Sequence, residues 1–205
     1  MPELLFATNN KGKRREILRL LGGSGWTALF PDALPDPPDV EETGTTFLEN
    51  ARLKAEGHRP HRPGAYVAAE DSGIVVPALG GEPGVYSARF GGRPDGAARN
   101  THLLERMADL RGDDRAAYYQ AVIVLLDPNG REAIFDGRVH GLVAHEPDGD
   151  GGFGYDPLFF HAESGCTFAR LAPEEKDRLS HRGQAMRALA AHLKSLPHAS
   201  AGTNP

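Results

Sequence analysis

Residues 4–21 read LLFATNNKGKRREILRLL. The stretch begins with a short apolar run at residues 4–8, which is typical of a buried strand, and two asparagines end that run. From residue 11 to residue 21, apolar side chains recur at helical spacing among basic ones, and two glycines follow. The pattern predicts a strand, a loop and a helix, which together form the repeating unit of an α/β fold.

The rest of the chain alternates between the same two kinds of pattern. Further strands are predicted at residues 26–30, 65–69, 74–76, 118–126 and 132–143. Helices are predicted at residues 47–57, 96–110 and 182–196, with a helical turn at residues 173–177. Pro128, Asn129 and Gly130 separate the two longest strands and predict a hairpin. Because strands and helices interleave around one hairpin, we expect an α/β fold with a mixed β-sheet flanked by helices.

Length and composition limit the possible functions. A chain of 205 residues without a linker-like segment predicts one domain. Its 23 basic and 28 acidic residues give a net charge of −5, which opposes nucleic acid or an anionic membrane as a partner. The single cysteine, Cys166, excludes an intrachain disulfide, and the sequence shows neither a signal-peptide pattern nor an apolar stretch long enough to span a bilayer. We therefore expect a cytoplasmic protein.

The loop at residues 8–13 is a candidate anion site. It precedes the first predicted helix, where backbone N–H groups and the positive end of the helix dipole favour a phosphate. Lys11 and Lys13 add positive charge at the same place. The spacing of a P-loop is absent, so the alternative is that both lysines lie on a solvated helix face.

An acidic pair marks a second candidate site. Glu70 and Asp71 follow an apolar run and precede Ser72 and Gly73, so we expect them at a strand end beside a turn. Carboxylates placed in this way can hold Mg²⁺, and one of them could take a proton from an attacking water. The alternative is that the pair only caps the turn.

Two further segments combine aromatic and basic residues. The glycine-rich loop at residues 147–157 carries Phe153 and Tyr155, which could bring the backbone close to a flat ligand and stack a ring on it. His181 and Arg182 open the last predicted helix and could donate to carbonyl or phosphate oxygens. The alternatives are a core aromatic side chain under the loop and a basic pair on the surface.

Six motifs carry a resemblance to a known family. They are FATNNKGK at residues 6–13, EETGTTFLENARLKA at 41–55, EDSG at 70–73, LGGEPGVYSAR at 79–89, FGYDP at 153–157 and SHRGQ at 180–184. In this order they resemble the inosine/xanthosine triphosphate pyrophosphatase family, and the resemblance runs from about residue 4 to about residue 196.

The resemblance implies a function and an architecture. Such a protein hydrolyses dITP, ITP, XTP or dXTP between the α- and β-phosphates, and it forms the nucleoside monophosphate and pyrophosphate with Mg²⁺ as cofactor. The implied fold is an elongated mixed sheet with two lobes around a central substrate cleft, and the implied assembly is a homodimer. We therefore expect a single two-lobed domain over residues 1–196 and a flexible tail over residues 197–205.

The resemblance also assigns roles to individual residues. Asp71 is expected to be the catalytic base and a metal ligand, and Glu42 is expected to be the second metal ligand, with Glu41 and Glu70 as open alternatives. The residues implied to bind the substrate are Thr8, Asn9, Asn10, Lys11, Gly12, Lys13, Lys54, Ser72, Phe153, Gly154, Tyr155, Asp156, Lys176, His181 and Arg182.

Three other functions compete with this hypothesis. A related pyrophosphatase of the septum-inhibitor type would act on pyrimidine or modified nucleotides, and the motifs at residues 153–157 and 180–182 argue against it. A nucleotide sensor would bind the triphosphate without cleaving it, which the retained Asp71 and Glu42 oppose. A nucleic-acid repair factor is opposed by the net charge of −5.

Overall fold

A computed structural model describes residues 1–93 and 95–196 of the chain. Seven strands form one sheet in the order β2-β1-β3-β4-β5-β6-β7. The strands are β1 (Glu3–Phe6), β2 (Thr27–Leu29), β3 (Tyr66–Val75), β4 (Ala116–Leu126), β5 (Glu132–Val143), β6 (Phe159–His161) and β7 (Cys166–Thr167). Strand β1 pairs in parallel with β2 and β3, and the remaining pairs are antiparallel. The predicted mixed sheet is therefore confirmed.

Five α-helices flank the sheet in the described part of the chain. They are α1 (Lys11–Leu21), α2 (Phe47–His58), α3 (Gly96–Arg106), α4 (Pro173–Leu179) and α5 (His181–Ser195). Within the same residues, no helix is long and apolar enough to cross a membrane. The predicted tail at residues 197–205 lies outside the described residues, and the two-lobed single domain stays a prediction.

The sequence interpretation of residues 70–73 is wrong. We expected a turn between two short strands, but β3 is continuous from Tyr66 to Val75. The ladder with β4 runs through the polar segment, with Glu70 opposite Ile123 and Gly73 opposite Gln120. Polar residues remain in this strand because each buried carboxylate finds partners on a neighbouring helix, as described below. The short strands β6 and β7 were also absent from the prediction.

The sheet opens where β1 ends and β3 continues. The β1–β3 ladder ends with Phe6 opposite Ala68, after which the chain leaves β1 for α1. Helices α1 and α5 pack on one face of the sheet, and α2 packs on the other. Ligands of open α/β sheets bind at the carboxyl ends of parallel strands where successive helices leave to opposite faces. The free edge of β3 beyond Ala68 is therefore the expected place for a site.

The polar side chains of β3 face different helices, because successive side chains of a strand lie on opposite faces of the sheet. Ala68 belongs to the apolar cluster that contains α1 and α5, and Ala69 belongs to the cluster that contains α2. Since successive side chains of a strand point to opposite faces, Glu70 and Ser72 face α5, whereas Asp71 faces α2. A second large apolar cluster lies at the other half of the sheet, between α3 and strands β4 to β6.

Gly73 lies at the closest approach between β3 and the segment Gly84–Gly92. A Cβ atom at Gly73 would lie 2.2 Å from Ser87 Oγ and 2.5 Å from the Gly84 carbonyl oxygen. We predict that Gly73→Ala lowers the free energy of unfolding by about 1–3 kcal/mol because it overpacks this contact. Urea unfolding followed by circular dichroism measures the change.

Gly96 provides the matched control for this substitution. A Cβ atom there meets no atom closer than 3.9 Å, and the residue is the first of α3. We expect Gly96→Ala to leave stability unchanged or to raise it slightly, because alanine favours helix. Equal midpoints for the two variants would contradict the steric argument.

Candidate active site

A cleft of about 620 Å³ opens at the free edge of β3. The structure brings every residue that the sequence predicted for the site into its lining, namely Thr8, Asn9, Asn10, Lys11, Gly12, Lys13, Glu42, Lys54, Asp71, Ser72, Phe153, Gly154, Tyr155, Asp156, Lys176, His181 and Arg182. The two open alternatives for the metal ligand, Glu41 and Glu70, are not among the lining residues. The roles of the individual residues stay predictions.

The N-terminus of α1 forms one wall of the cleft. Asn10 caps the helix, and its side-chain oxygen accepts hydrogen bonds from the backbone N–H groups of Gly12, at 2.9 Å, and Lys13, at 3.0 Å. From the sequence we expected the N–H groups of this first turn to bind an anion. Two of them are instead bonded to the side chain of Asn10. A phosphate at this wall would meet mainly the helix dipole and the lysine side chains.

Asp71 lies at the centre of a polar cluster on the α2 side. Asn50 Nδ2 donates to Asp71 Oδ2 at 3.2 Å, and Lys54 Nζ donates to Asp71 Oδ1 at 3.3 Å. Lys54 Nζ also lies 3.3 Å from Glu42 Oε2, so the two carboxylates converge on one ammonium group. Burial raises the pKa of Asp71, Lys54 and Lys13 oppose the rise, and the negative charge of Glu42 adds to it.

This cluster fits a magnesium ion. Mg²⁺ is usually held by one or two carboxylates, and phosphate oxygens and water complete its octahedral shell. Glu42 and Asp71 supply oxygen ligands at one place, because both carboxylates lie 3.3 Å from Lys54 Nζ. In the described part of the chain, no three His, Cys, Asp or Glu side chains group together as a metal site. Substrate phosphates and water would therefore have to complete the coordination.

Glu70 turns away from this cluster into a buried ion pair. The Arg182 guanidinium donates to both of its carboxylate oxygens at 2.8 Å, and Lys13 Nζ lies 3.4 Å from Oε1. Burial alone would raise the pKa of Glu70, but Arg182 and Lys13 outweigh it and hold the pKa well below its usual value. Glu70 is thus an ionised partner of Arg182, and of the open alternatives it is the least suited to share a metal with Asp71.

Glu16 is the main site residue that sequence reasoning missed. Its carboxylate accepts from Arg182 Nη1 and from Lys176 Nζ, the latter at 2.8 Å. Burial acts to raise the pKa of Glu16, but Arg182 and Lys176 lower it overall. A signal existed in the sequence, because Glu16 lies four residues before the apolar Leu20 in the first predicted helix and therefore on the same side of it.

Phe153 adds an aromatic wall to the cleft beside the start of α1. Lys176 Nζ lies 4.9 Å and the Arg182 guanidinium carbon 5.3 Å from the centre of its ring. The ring also packs on Gly12, where a Cβ atom would lie 2.6 Å from it. Asp156 Oδ2 accepts from the Phe153 N–H at 2.7 Å and from Lys176 Nζ, which ties the loop to α4. The aromatic ring is therefore held beside two cations.

Tyr155 and His181 complete this end of the cleft. The Tyr155 hydroxyl donates to the Ser87 carbonyl at 2.9 Å, so this side chain anchors the loop. The His181 ring stacks on Tyr119 with ring centres 4.5 Å apart. Burial, with help from the charge of Arg182, holds the pKa of His181 well below its usual value, so the imidazole is neutral at pH 7. Its buried Nδ1 has no hydrogen-bond partner among the described residues.

Fold and cleft together define the class of the protein. It is an α/β protein with an open mixed sheet, whose cleft combines a lysine-bearing helix N-terminus, two converging carboxylates and an aromatic wall under basic side chains. Within this class the chain belongs to the Ham1 family, whose model matches residues 4–192.

Known relatives agree with this assignment over nearly the whole chain. A Thermus thermophilus protein named dITP/XTP pyrophosphatase is 49% identical over 197 residues, which cover 95% of this chain and 93% of the relative. A Geobacter sulfurreducens protein of the same name is 45% identical and covers 94% of this chain and 97% of its own length. The structure of a HAM1 protein from Coxiella burnetii superposes with a TM-score of 0.86 at 37% identity, covering 96% of this chain and all of that one.

Proposed function

We propose that this protein is a Mg²⁺-dependent nucleoside triphosphate pyrophosphatase. It hydrolyses non-canonical purine nucleotides, namely dITP, ITP, XTP and dXTP, between the α- and β-phosphates and releases the monophosphate and pyrophosphate. One observation carries the proposal: the Asp71–Lys54–Glu42 cluster and the Phe153 wall lie in the same cleft. The activity named for the Thermus thermophilus and Geobacter sulfurreducens relatives supports the substrate class.

The α2 side of the cleft supplies the hydrolytic chemistry. Asp71 takes a proton from the water that attacks the α-phosphorus, because its carboxylate lines the cleft beside the phosphate-binding lysines. Asn50 fixes the orientation of this carboxylate. As the bond from the α-phosphorus to the bridging oxygen breaks, Lys13 and Lys54 neutralise the charge on the departing pyrophosphate. When bound at Glu42 and Asp71, Mg²⁺ would supply Lewis-acid neutralisation of the phosphate charge.

The other end of the cleft selects the base. Phe153 supplies an aromatic ring in the cleft lining for stacking, and every base has a π-face that can stack on it. Lys176 uses two of its three N–H groups on Glu16 and Asp156 and keeps one for the substrate. Arg182 commits four of its five N–H groups to Glu70, Glu16 and Ser72, so it acts mainly as a positioning residue.

We predict that kcat/KM for ITP or XTP exceeds that for ATP by at least about 10²-fold. Hypoxanthine and xanthine carry an acceptor oxygen at position 6, whereas adenine carries an amino donor there. A site that presents hydrogen-bond donors at position 6 pairs with the oxygen of hypoxanthine or xanthine. With adenine these buried donors face another donor and stay unpaired, which costs about 1–3 kcal/mol for each group. The test is a panel of nucleoside triphosphates with Mg²⁺, in which pyrophosphate and orthophosphate are quantified separately.

Each part of this proposal has its own contradicting result. Orthophosphate and a nucleoside diphosphate as products would contradict the cleavage position. Equal kcat/KM values for ITP and ATP would contradict the claim that the cleft discriminates between purines by the group at position 6. Binding of ITP without release of either product would indicate a sensor. Phe153→Ala is the control, because loss of stacking should lower kcat/KM for both substrates and nearly keep their ratio.

The proposal also includes the working state of the enzyme. We expect it to act in the cytoplasm as a homodimer, without nucleic acid or a membrane as partner. The single cysteine fits a reducing compartment, and the dimer rests on the family resemblance alone.

A further inference from the structure

His58 lines the cleft from α2, one turn beyond Lys54. Asn50, Lys54 and His58 follow one another at intervals of four residues and therefore lie on one face of the helix. The first two contact Asp71, and His58 lines the same cleft about 6 Å further along the helix. Nothing in the proposed mechanism uses this histidine, although it is only 5% exposed.

The hydrogen bonds of His58 define its tautomer. Nδ1 lies 2.8 Å from the Lys54 carbonyl oxygen, which can only accept, so Nδ1 carries a proton and donates it. In the neutral ring, Nε2 is therefore an unprotonated acceptor. Nε2 is buried and has no partner among the described residues. A buried polar atom without a partner in a ligand cleft indicates that a ligand or water supplies the missing bond.

The surroundings keep the ring neutral in the free protein. The charged and titratable groups that act on it are Lys54 on α2 and His61 in the following turn. Burial lowers the pKa of His58; its hydrogen bond to the Lys54 backbone opposes this, and the nearby His61 and Lys54 lower the pKa further. A neutral acceptor at this position would repel the oxygens of a phosphate, which are themselves acceptors.

We infer that His58 binds the pyrophosphate portion of the substrate and that Nε2 becomes protonated when these phosphates enter the cleft. Nε2 has almost no exposed surface in the free protein, so neighbouring side chains must shift to admit a phosphate oxygen. The protonated ring then donates from Nε2 to that oxygen and keeps its bond from Nδ1 to the Lys54 carbonyl. The proton comes from the solvent and returns to it when pyrophosphate leaves. The inference rests on the proposed function, because it takes the triphosphate as the ligand.

The protonation is tested directly on the full-length wild-type protein. Long-range ¹H–¹⁵N spectra of protein labelled at histidine are recorded at about pH 7.5, without ligand and with saturating sodium pyrophosphate. His58→Asn assigns the signals by their disappearance. We expect Nε2 to change from the unprotonated to the protonated range, while Nδ1 stays protonated. A His58 Nε2 that remains unprotonated at saturation overturns the inference.

The contribution to affinity is tested by titration calorimetry with pyrophosphate. We expect His58→Gln to weaken binding by roughly tenfold at pH 7, since a neutral amide replaces the charged donor to the phosphate. His145→Gln is the matched control, because His145 is exposed and does not line the cleft, and we expect less than about a twofold change. Equal affinities for the two variants, each checked for its melting temperature, overturn the inference.

A parallel assay separates this inference from the proposed function. Release of pyrophosphate from ITP by the wild-type protein is measured under the same conditions. Absence of that activity overturns the proposed function. An active wild-type protein whose His58 stays unprotonated with pyrophosphate overturns only the role of His58.

Discussion

Asp71→Asn is expected to lower the rate of pyrophosphate release by about 10²–10⁴-fold, the range associated with loss of a general base. Asparagine keeps the size of the side chain, but it cannot take a proton from water and it is a poorer metal ligand. Initial rates with ITP and Mg²⁺ measure the effect, and kcat and KM are determined separately. A change confined to KM would indicate that Asp71 only binds.

The same substitution should leave the fold intact. Burial raises the pKa of Asp71, so its charged form is less favourable in the folded protein than in the unfolded chain. The folded state binds the proton more tightly, and stability therefore falls as pH rises through the interval between the unfolded and folded pKa values. Asparagine removes this charge, so we expect the melting temperature at pH 7 to stay equal or to rise.

Glu41→Gln provides the control for the activity measurement. Glu41 is an exposed carboxylate that neighbours Glu42 in sequence but does not line the cleft. We expect its substitution to change the rate by less than about twofold. An Asp71→Asn enzyme within about threefold of wild type would show that another group is the base, and equal losses in the two variants would show that the carboxylate charge acts only at a distance.

The sequence predicted which residues line the site better than it predicted which of them contact one another. The order of short motifs predicted the cleft lining because the family resemblance assigns all of these motifs to one site, whatever local structure each of them forms. The partners of Glu16 could not be predicted locally, since Lys176 and Arg182 lie 160 and 166 residues away. For the same reason Glu70 looked like a metal candidate, whereas its partner Arg182 is 112 residues away in sequence.

The continuity of β3 escaped prediction for a related reason. A Glu-Asp-Ser-Gly segment favours a turn by its local propensity. The eleven-residue strand β4 pairs along it, and residues of α2 and α5 satisfy the buried carboxylates on the two faces. Tertiary contacts of this kind override a local preference that spans only four residues. The error changed the interpretation of the chemistry, because alternation in a strand separates Glu70 from Asp71, whereas a turn would have left them together.

Arg182→Ala is expected to lower the free energy of unfolding by about 3–5 kcal/mol, the range for breaking a buried ion pair. The substitution leaves the carboxylates of Glu70 and Glu16 buried without the guanidinium that bonds both of them. Urea unfolding at pH 7 measures the loss. Arg138→Ala is the control, because that exposed guanidinium bonds Gln120 and lies over Tyr118, and its removal should cost less than about 1 kcal/mol.

The pH dependence of this loss provides the decisive check. In the wild-type protein the pKa values of Glu70 and Glu16 are lowered, so their contribution to stability is present above the unfolded pKa of about 4.3 and is lost as pH falls through the folded values. Without Arg182, burial dominates and raises the pKa of Glu70, so the variant gains stability relative to wild type as the pH falls. The difference between the two proteins should therefore be smaller at about pH 5 than at pH 7. A difference that stays constant would mean that Arg182 stabilises the fold by packing against Phe153 and its other neighbours, and that its charge contributes little.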